Sequence, residues 1–240
     1  MEPEATVIFL DAIAIRNLEF SYRDEPVLSG ISMNVKQGEF LGMLGPVGCG
    51  KTTLLLAMNG IIPNLVKGKF SGEVLVMGES TRKRSVQQMS RHIAFVFQDP
   101  NDQIFNLTCE EEVAFGLENK GVNGEELEKK VRAALSVVGL FPKRNEDPCE
   151  LSEGQKQKLC IASAIAMDTT IIVLDEPTSS LDNRSAEEVY SLLHNLNKTG
   201  KTIVAVEHRA DQLAKHATRF IVMRDGKIAA SGGKSVIKKA

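Results

Sequence analysis

Residues 40–58 read FLGMLGPVGCGKTTLLLAM. Phe40 to Leu44 carry no polar residue, the pattern of a strand buried on both faces. Gly45 to Thr52 then fit G-x-x-x-x-G-K-[ST] in full, and a helix is expected from Lys51 through KTTLLLAMNGII to Ile62. Strand, glycine-rich turn and helix N-terminus in this order make a phosphate cradle. The glycines let backbone N–H groups curl round phosphate oxygens, and the helix end adds partial positive charge. The binding segment is Gly45, Pro46, Val47, Gly48, Cys49, Gly50, Lys51, Thr52 and Thr53. Lys51 would reach the β- and γ-phosphates, and Thr52 would ligate Mg²⁺. A glycine-rich turn can be purely structural, but the complete motif in its required context points to a nucleotide.

A second segment, IIVLDE at 171–176, supplies carboxylates. Four apolar residues bury a strand, and Asp175 emerges at its end, suited to hold Mg²⁺ through water. Glu176 beside it could polarise a water attacking the γ-phosphate. Alone, the pair also fits a strand followed by a solvated acidic turn. His208 follows the apolar strand TIVAVE at 202–207. Strand ends on the carboxyl edge are where open α/β sheets bind ligands. His208 is therefore either a γ-phosphate sensor or a surface-loop histidine. His92, His194 and His216 read as ordinary surface or helix residues, with no metal-ligand spacing.

Around these segments the chain alternates in character. Residues before 80 hold short strand patterns: IAIRNLEFSY, GISMNVKQG and GEVLVMG. Residues from about 101 to 168 are helical in period, through EEEVAFGLENK, GEELEKKVRAALSVVGL and SEGQKQKLCIASAIAM. The last third returns to strand and helix in turn and ends in a hairpin about Asp225-Gly226. The order implies an α/β core with a helical insertion.

The 240 residues are 42% hydrophobic and 25% charged, as in one large domain or a core with an inserted subdomain. A net charge of −2 gives no basic patch, so no nucleic-acid partner is expected. Four scattered cysteines with no CxxC pair read as free thiols. No apolar run approaches the roughly 18 residues that cross a bilayer, so any membrane role comes through a partner. The first twelve residues or so carry acidic residues and no motif, a poor signal peptide.

LSEGQKQK at 151–158 stands about twenty residues before IIVLDE, a spacing that generic phosphate-loop enzymes lack. With it the chain resembles the ABC (ATP-binding cassette) ATPases, from about Ile13 to Ser231. Tyr22 matches the aromatic that stacks on adenine, Gly45–Thr52 the Walker A loop and Gln98 the Q-loop glutamine. Leu151 to Gln155 match the signature, with Ser152, Gly154 and Gln155 on ATP. Asp175 and Glu176 match Walker B, Ser180-Leu181-Asp182 the D-loop and His208 the switch histidine. The resemblance implies an α/β P-loop NTPase (RecA-like) core with an antiparallel β subdomain and an inserted helical subdomain. On that basis residues 1–12 are an N-terminal extension and 13–240 the ATPase domain, with its helical subdomain at about 101–168. It also implies ATP and Mg²⁺ as cofactors, catalysis by Glu176, His208 and Gln98, and metal binding by Thr52, Gln98 and Asp175. Homodimers or heterodimers with a second ABC ATPase are implied, packed head to tail with ATP between one Walker A loop and the other signature.

Glu153 departs from the pattern, where the family has glycine; outward orientation is expected, since a carboxylate turned inward would repel phosphate. FQDPNDQIFN at 97–106 and VEHR at 206–209 resemble the energy-coupling-factor and cobalt-type branch, whose members take up vitamins or transition-metal ions. That branch implies membrane subunits docking near Gln98–Phe105 and a peripheral place on the cytoplasmic face of the membrane. Ile104 and Phe105 fit either core packing or a hot spot for the membrane partner. Glu110–Glu112 read as the exposed first turn of a helix. A rival reading, a nucleotide-gated assembly module with little hydrolysis, rests on Glu153. An ABC ATPase of DNA repair or translation would need inserts for which there is no room. Whether the sequence is whole or half of a two-cassette protein stays open.

Overall fold

The computed structural model describes residues 11–208 and 210–239. Of the expected N-terminal extension, residues 1–10 lie outside the described residues, and Asp11 and Ala12 already belong to the first strand. The strands are β1 (Asp11–Ser21), β2 (Pro26–Lys36), β3 (Phe40–Leu44), β4 (Lys69–Val76), β5 (Glu79–Ser80), β6 (Ile93–Val96), β7 (Ile171–Asp175), β8 (Thr202–Val206), β9 (Arg219–Arg224) and β10 (Lys227–Gly232). The helices are α1 (Lys51–Met58), α2 (Ile61–Asn64), α3 (Val86–Met89), α4 (Cys109–Glu118), α5 (Gly124–Val137), α6 (Glu153–Ala166), α7 (Asn183–Lys198) and α8 (Ala210–His216).

Two sheets form. One is antiparallel, in the order β2-β1-β4-β5; the other runs β10-β9-β3-β8-β7-β6 and is parallel except at its β10 edge. The unbroken apolar runs of β3, β7 and β8 follow from burial on two sides. Along β7, Ile171 and Val173 face a cluster shared with α1 and the antiparallel sheet, while Ile172 and Leu174 face one shared with α6, α7 and α8. Helices α4, α5 and α6 pack round a third cluster that includes Leu117, Leu135 and Leu159.

Register brings the chemistry to one edge. Met43 of β3 pairs with Val206 of β8, and Val206 pairs with Asp175 of β7. Leu174 pairs with Val96 of β6. The segments that follow these strands therefore emerge side by side at the carboxyl edge of the sheet.

Two expectations are corrected here. The helix from Lys51 does not run through Ile62; it ends at Met58, because Gly60 adopts φ 76° and turns the chain into the short α2. Nor is Glu110–Glu112 an exposed turn throughout. Glu111 closes a capping box with Thr108, whereas Glu112 is 6% exposed and turned inward.

Candidate active site

The turn after β3 folds tightly over α1. Gly50 has φ 99°, and a Cβ there would stand 2.9 Å from the Val27 carbonyl oxygen, so no other residue fits without strain. It is also the N-cap of α1, which has no side-chain cap, leaving its first N–H groups directed into the turn. Lys51 is buried to 5% exposure and its Nζ donates to the carbonyls of Gly45 (2.8 Å) and Pro46 (2.9 Å). Cys49 is buried, and Val47 stands exposed at the crest of the turn. At the rim Tyr22 sets its ring edge-on to Phe20, and its hydroxyl shares a 3.1 Å hydrogen bond with Thr53 Oγ1.

Two side chains far apart in sequence meet on the carboxylate of Glu176. Gln98 Nε2 donates to its Oε2 at 3.0 Å, and His208 Nε2 lies 2.6 Å from its Oε1. Glu176 is itself 8% exposed, with φ 45°, and its N–H donates to the Val206 carbonyl at 3.1 Å. Asp175 is buried, and the Thr52 hydroxyl beside it favours its ionised form. Burial, foremost, pushes the Asp175 carboxyl above its ordinary range, and the Glu176 charge adds to this. Its Oδ1 has no hydrogen-bond partner among the described residues. Tyr22, Lys51, Thr52, Gln98, Glu176 and His208 line one cleft of about 410 Å³. The cleft can take a polyphosphate at the α1 end and offer a carboxylate to a water at the β7 end.

The signature residues lie elsewhere. Ser152, Gly154 and Gln155 do not line this cleft; they open α6. Ser152 and Gln155 cap α6 reciprocally, through Gln155 N–H to Ser152 Oγ (3.4 Å) and Ser152 N–H to Gln155 Oε1 (3.0 Å). Gly154 has a packing reason of its own: a Cβ there would sit 3.2 Å from Ser185 Cβ at the start of α7. Leu181 is buried and Asp182 caps α7, accepting from the N–H groups of Arg184 and Ser185. Glu153 pairs with Lys156 at 3.0 Å, and Lys156 also donates to Asn101.

The segment after β6 is held at several points. Gln103 Oε1 accepts the Phe97 N–H at 3.1 Å, closing the turn capped by Asp99. Glu112 Oε2 accepts the N–H groups of Phe105 and Asn106 and the Asn106 side-chain amide. Ile104 and Phe105 part company. Ile104 packs on the cores of the helical layers, while Phe105 is 63% exposed, edge-on to Phe115 at 4.7 Å. Phe105 and Phe115, with Phe95, Phe97 and Met167, border an open groove of about 340 Å³.

Sequence reasoning missed Glu112 and Glu207. Glu112 shares the stripe of Cys109, Val113 and Leu117 on α4, and helical phase could have found it. Glu207 is 1% exposed and follows an apolar strand, a position no pattern marks as buried. His194 and His216 are helix residues, on α7 and α8. His216 is largely buried and stacks on Tyr190, with His194 edge-on to it, because α7 and α8 pack together there. His92 pairs with Glu79 at 3.5 Å. No cluster of three or more His, Cys, Asp or Glu suited to a metal occurs among the described residues, and all four cysteines are free thiols.

The family model for ABC transporters matches residues 28–179. The energy-coupling factor transporter ATP-binding protein EcfA of Methanocaldococcus jannaschii is 43% identical over 223 residues, covering 92% of this chain and 78% of that protein. Among solved structures, cbiO1 of Clostridium perfringens, described as part of the ABC transporter complex cbiONQ, superposes with a TM-score of 0.85 at 30% identity. It covers 95% of this chain and 91% of its own. A dimeric ATP-binding cassette in a post-hydrolysis state, bound to ADP and Pi, gives a TM-score of 0.80 at 32% identity, over 92% of this chain and 98% of that one.

Proposed function

The chain belongs to the ABC transporter ATP-binding family and sides with its energy-coupling-factor and cobalt-type members. On that premise we propose that it is the ATP-hydrolysing subunit of an importer, driving uptake of a vitamin or a transition-metal ion through membrane partners. The observation that carries the hydrolytic reading is the Glu176 carboxylate, held by Gln98 and His208 inside the cleft that the phosphate turn lines.

In this reading Tyr22 stacks on adenine, and the backbone of Gly45–Thr52, Thr53 and Lys51 hold the phosphates. Glu176 takes a proton from the attacking water, which Gln98 helps to orient, while His208 contacts the γ-phosphate. Mg²⁺ would supply charge neutralisation on the β- and γ-phosphates. The residues fit it: Thr52 beside Asp175, and an Asp175 Oδ1 that is buried with no partner among the described residues, are hard oxygen donors at the cleft's edge. Gln98, which lines the same cleft as Thr52, would be the third donor. Ser152, Gly154 and Gln155 would close the ATP site of a second ATPase, alike or different. Their place outside the cleft supports that division, as does the dimeric form of the ADP-bound relative. The pairing of Glu153 with Lys156 supports the hydrolytic reading over a nucleotide-gated module with little hydrolysis.

Among the described residues no helix is long and apolar enough to cross a membrane. A place at the cytoplasmic face would come from membrane subunits docking near Gln98–Phe105. The exposed Phe105 and its groove support this, and so does the description of cbiO1 as part of a transporter complex.

Two measurements test the proposal. Glu176→Gln should lower steady-state ATP turnover by about 100-fold in the assembled complex while ATP still binds; unchanged turnover overturns the hydrolytic reading. Phe105→Ala should weaken assembly with the membrane partner about tenfold, the effect of losing one aromatic anchor, with ATP affinity unchanged. Intact assembly, or equal loss of both, overturns the docking reading.

A further inference from the structure

Glu207 is buried at the carboxyl end of β8, one residue before His208. Its Oε1 accepts two hydrogen bonds from Thr178, from the N–H at 3.1 Å and from Oγ1 at 2.7 Å. Thr178 is fully buried and stands two residues after Glu176. The backbone N–H of Glu207 donates to the Met43 carbonyl at 3.1 Å, at the end of the strand that leads into the phosphate turn.

These bonds close a ring. Glu176 touches His208 by side chain; His208 is bonded through the chain to Glu207; Glu207 grips Thr178; and Thr178 returns through the chain to Glu176. Beyond the ring, the Leu181 N–H donates to the Thr178 carbonyl, so the grip reaches the turn that leads to Asp182. A turn that holds Glu176 at φ 45° costs backbone energy, and such a conformation persists only where its surroundings over-determine it. Glu207 supplies that constraint. A buried carboxylate is itself costly, so its place here calls for a role beyond filling space.

We propose that Glu207 is a positioning residue for ATP hydrolysis, clipping the turn that carries Glu176 to the strand that carries His208. It does not line the cleft and acts through these two side chains. Small displacements of a reacting group cost large factors in rate, which is where the clip would register. The inference rests on the reading of Glu176 as the group that activates water.

The test compares turnover and nucleotide binding in the assembled complex. Glu207→Ala strips Thr178 of its acceptor, and kcat should fall about tenfold with KM and ATP affinity within about twofold. Glu207→Gln keeps a carbonyl oxygen for both Thr178 donors and should hold kcat within about threefold of wild type. Thr178→Val removes one of the two bonds at nearly constant volume and should lower kcat about threefold; it decides the matter where Glu207→Ala does not fold. Unchanged kcat in Thr178→Val or folded Glu207→Ala overturns the role, as does a loss of ATP affinity that matches the loss of kcat. Equal losses in Glu207→Gln and Glu207→Ala do so too. Glu176→Gln is measured alongside. If it keeps turnover, the hydrolytic reading falls; if it abolishes turnover while Thr178→Val does not lower it, only the positioning role falls.

Discussion

The helix N-termini at α1 and α6 are built to opposite plans. At α1 the N-cap is Gly50, which brings no side chain, and Lys51 is folded under the turn. The ends of β6, β7 and β8 wall this turn with Gln98, Glu176 and His208. At α6 the N-cap is Ser152, which with Gln155 satisfies the helix end locally, outside the cleft that the strand ends wall. An anion at α1 finds donors without a competing cap and a cleft around it. An anion at α6 must compete with the Ser152 cap. The first gathers its phosphate donors within one chain; the second, in the proposed arrangement, faces a nucleotide held by a partner. Nucleotide affinity should therefore reside almost wholly at α1.

The largest expected effect breaks this comparison if it fails. Lys51→Ala should lower ATP affinity by about 100-fold, because a buried cation at the phosphate turn is lost. Ser152→Ala should leave the affinity of the separated subunit within about twofold and instead cost about 1 kcal/mol of stability, the worth of an N-cap. Titration of a fluorescent ATP analogue, with thermal melts in parallel, reads both. Comparable losses of affinity would show that α6 is itself a binding end.

How much of this contrast is legible in the sequence depends on distance along the chain. The turn at Gly45–Thr52 is local, so motif and neighbouring strand disclose it together. β3, β7 and β8 are legible because both faces are buried and no polar residue interrupts them. The meeting of Gln98, Glu176 and His208 is not local. It depends on the register of β6, β7 and β8, which the family resemblance implies and periodicity alone does not. Least legible are the buried carboxylates. Glu112 stands in an acidic run that reads as solvated, and Glu207 ends an apolar strand where a surface residue is expected; tertiary donors on Asn106 and Thr178 decide both.

Electrostatics separate the two ends as well, and pH sharpens the difference. Burial pushes the Glu207 carboxyl above its ordinary value of 4.5, against the pull of the Thr178 bonds. Below pH 4.5 the group is protonated in both folded and unfolded chains. As pH rises, the unfolded chain ionises first, so stability is lost progressively until the pH passes the raised folded value. Glu207→Gln removes this loss. Its melting temperature should exceed that of wild type by a few degrees near pH 8, and the gap should close toward pH 4. A gap that is constant with pH would show that Glu207 is no more burdened by ionisation in the fold than outside it.

The smallest effect belongs to the exposed carboxylate at the other end. Glu153 lies in the first turn of α6, where helix polarity favours an anion, and pairs with Lys156 at an exposed position. Such pairs contribute about 0–1 kcal/mol. Glu153→Gln should therefore shift stability by less than about 0.5 kcal/mol and ATP turnover by less than about twofold. The outcome tests orientation as well as magnitude. A carboxylate turned toward a partner-held phosphate would repel it, and its removal would raise turnover severalfold, most at low salt where charge repulsion is least screened. A rise of that kind would mean that the α6 end reorients when two chains meet. A flat response would mean that the departure from glycine is absorbed within α6 itself, by Lys156 and the Asn101 that Lys156 also reaches.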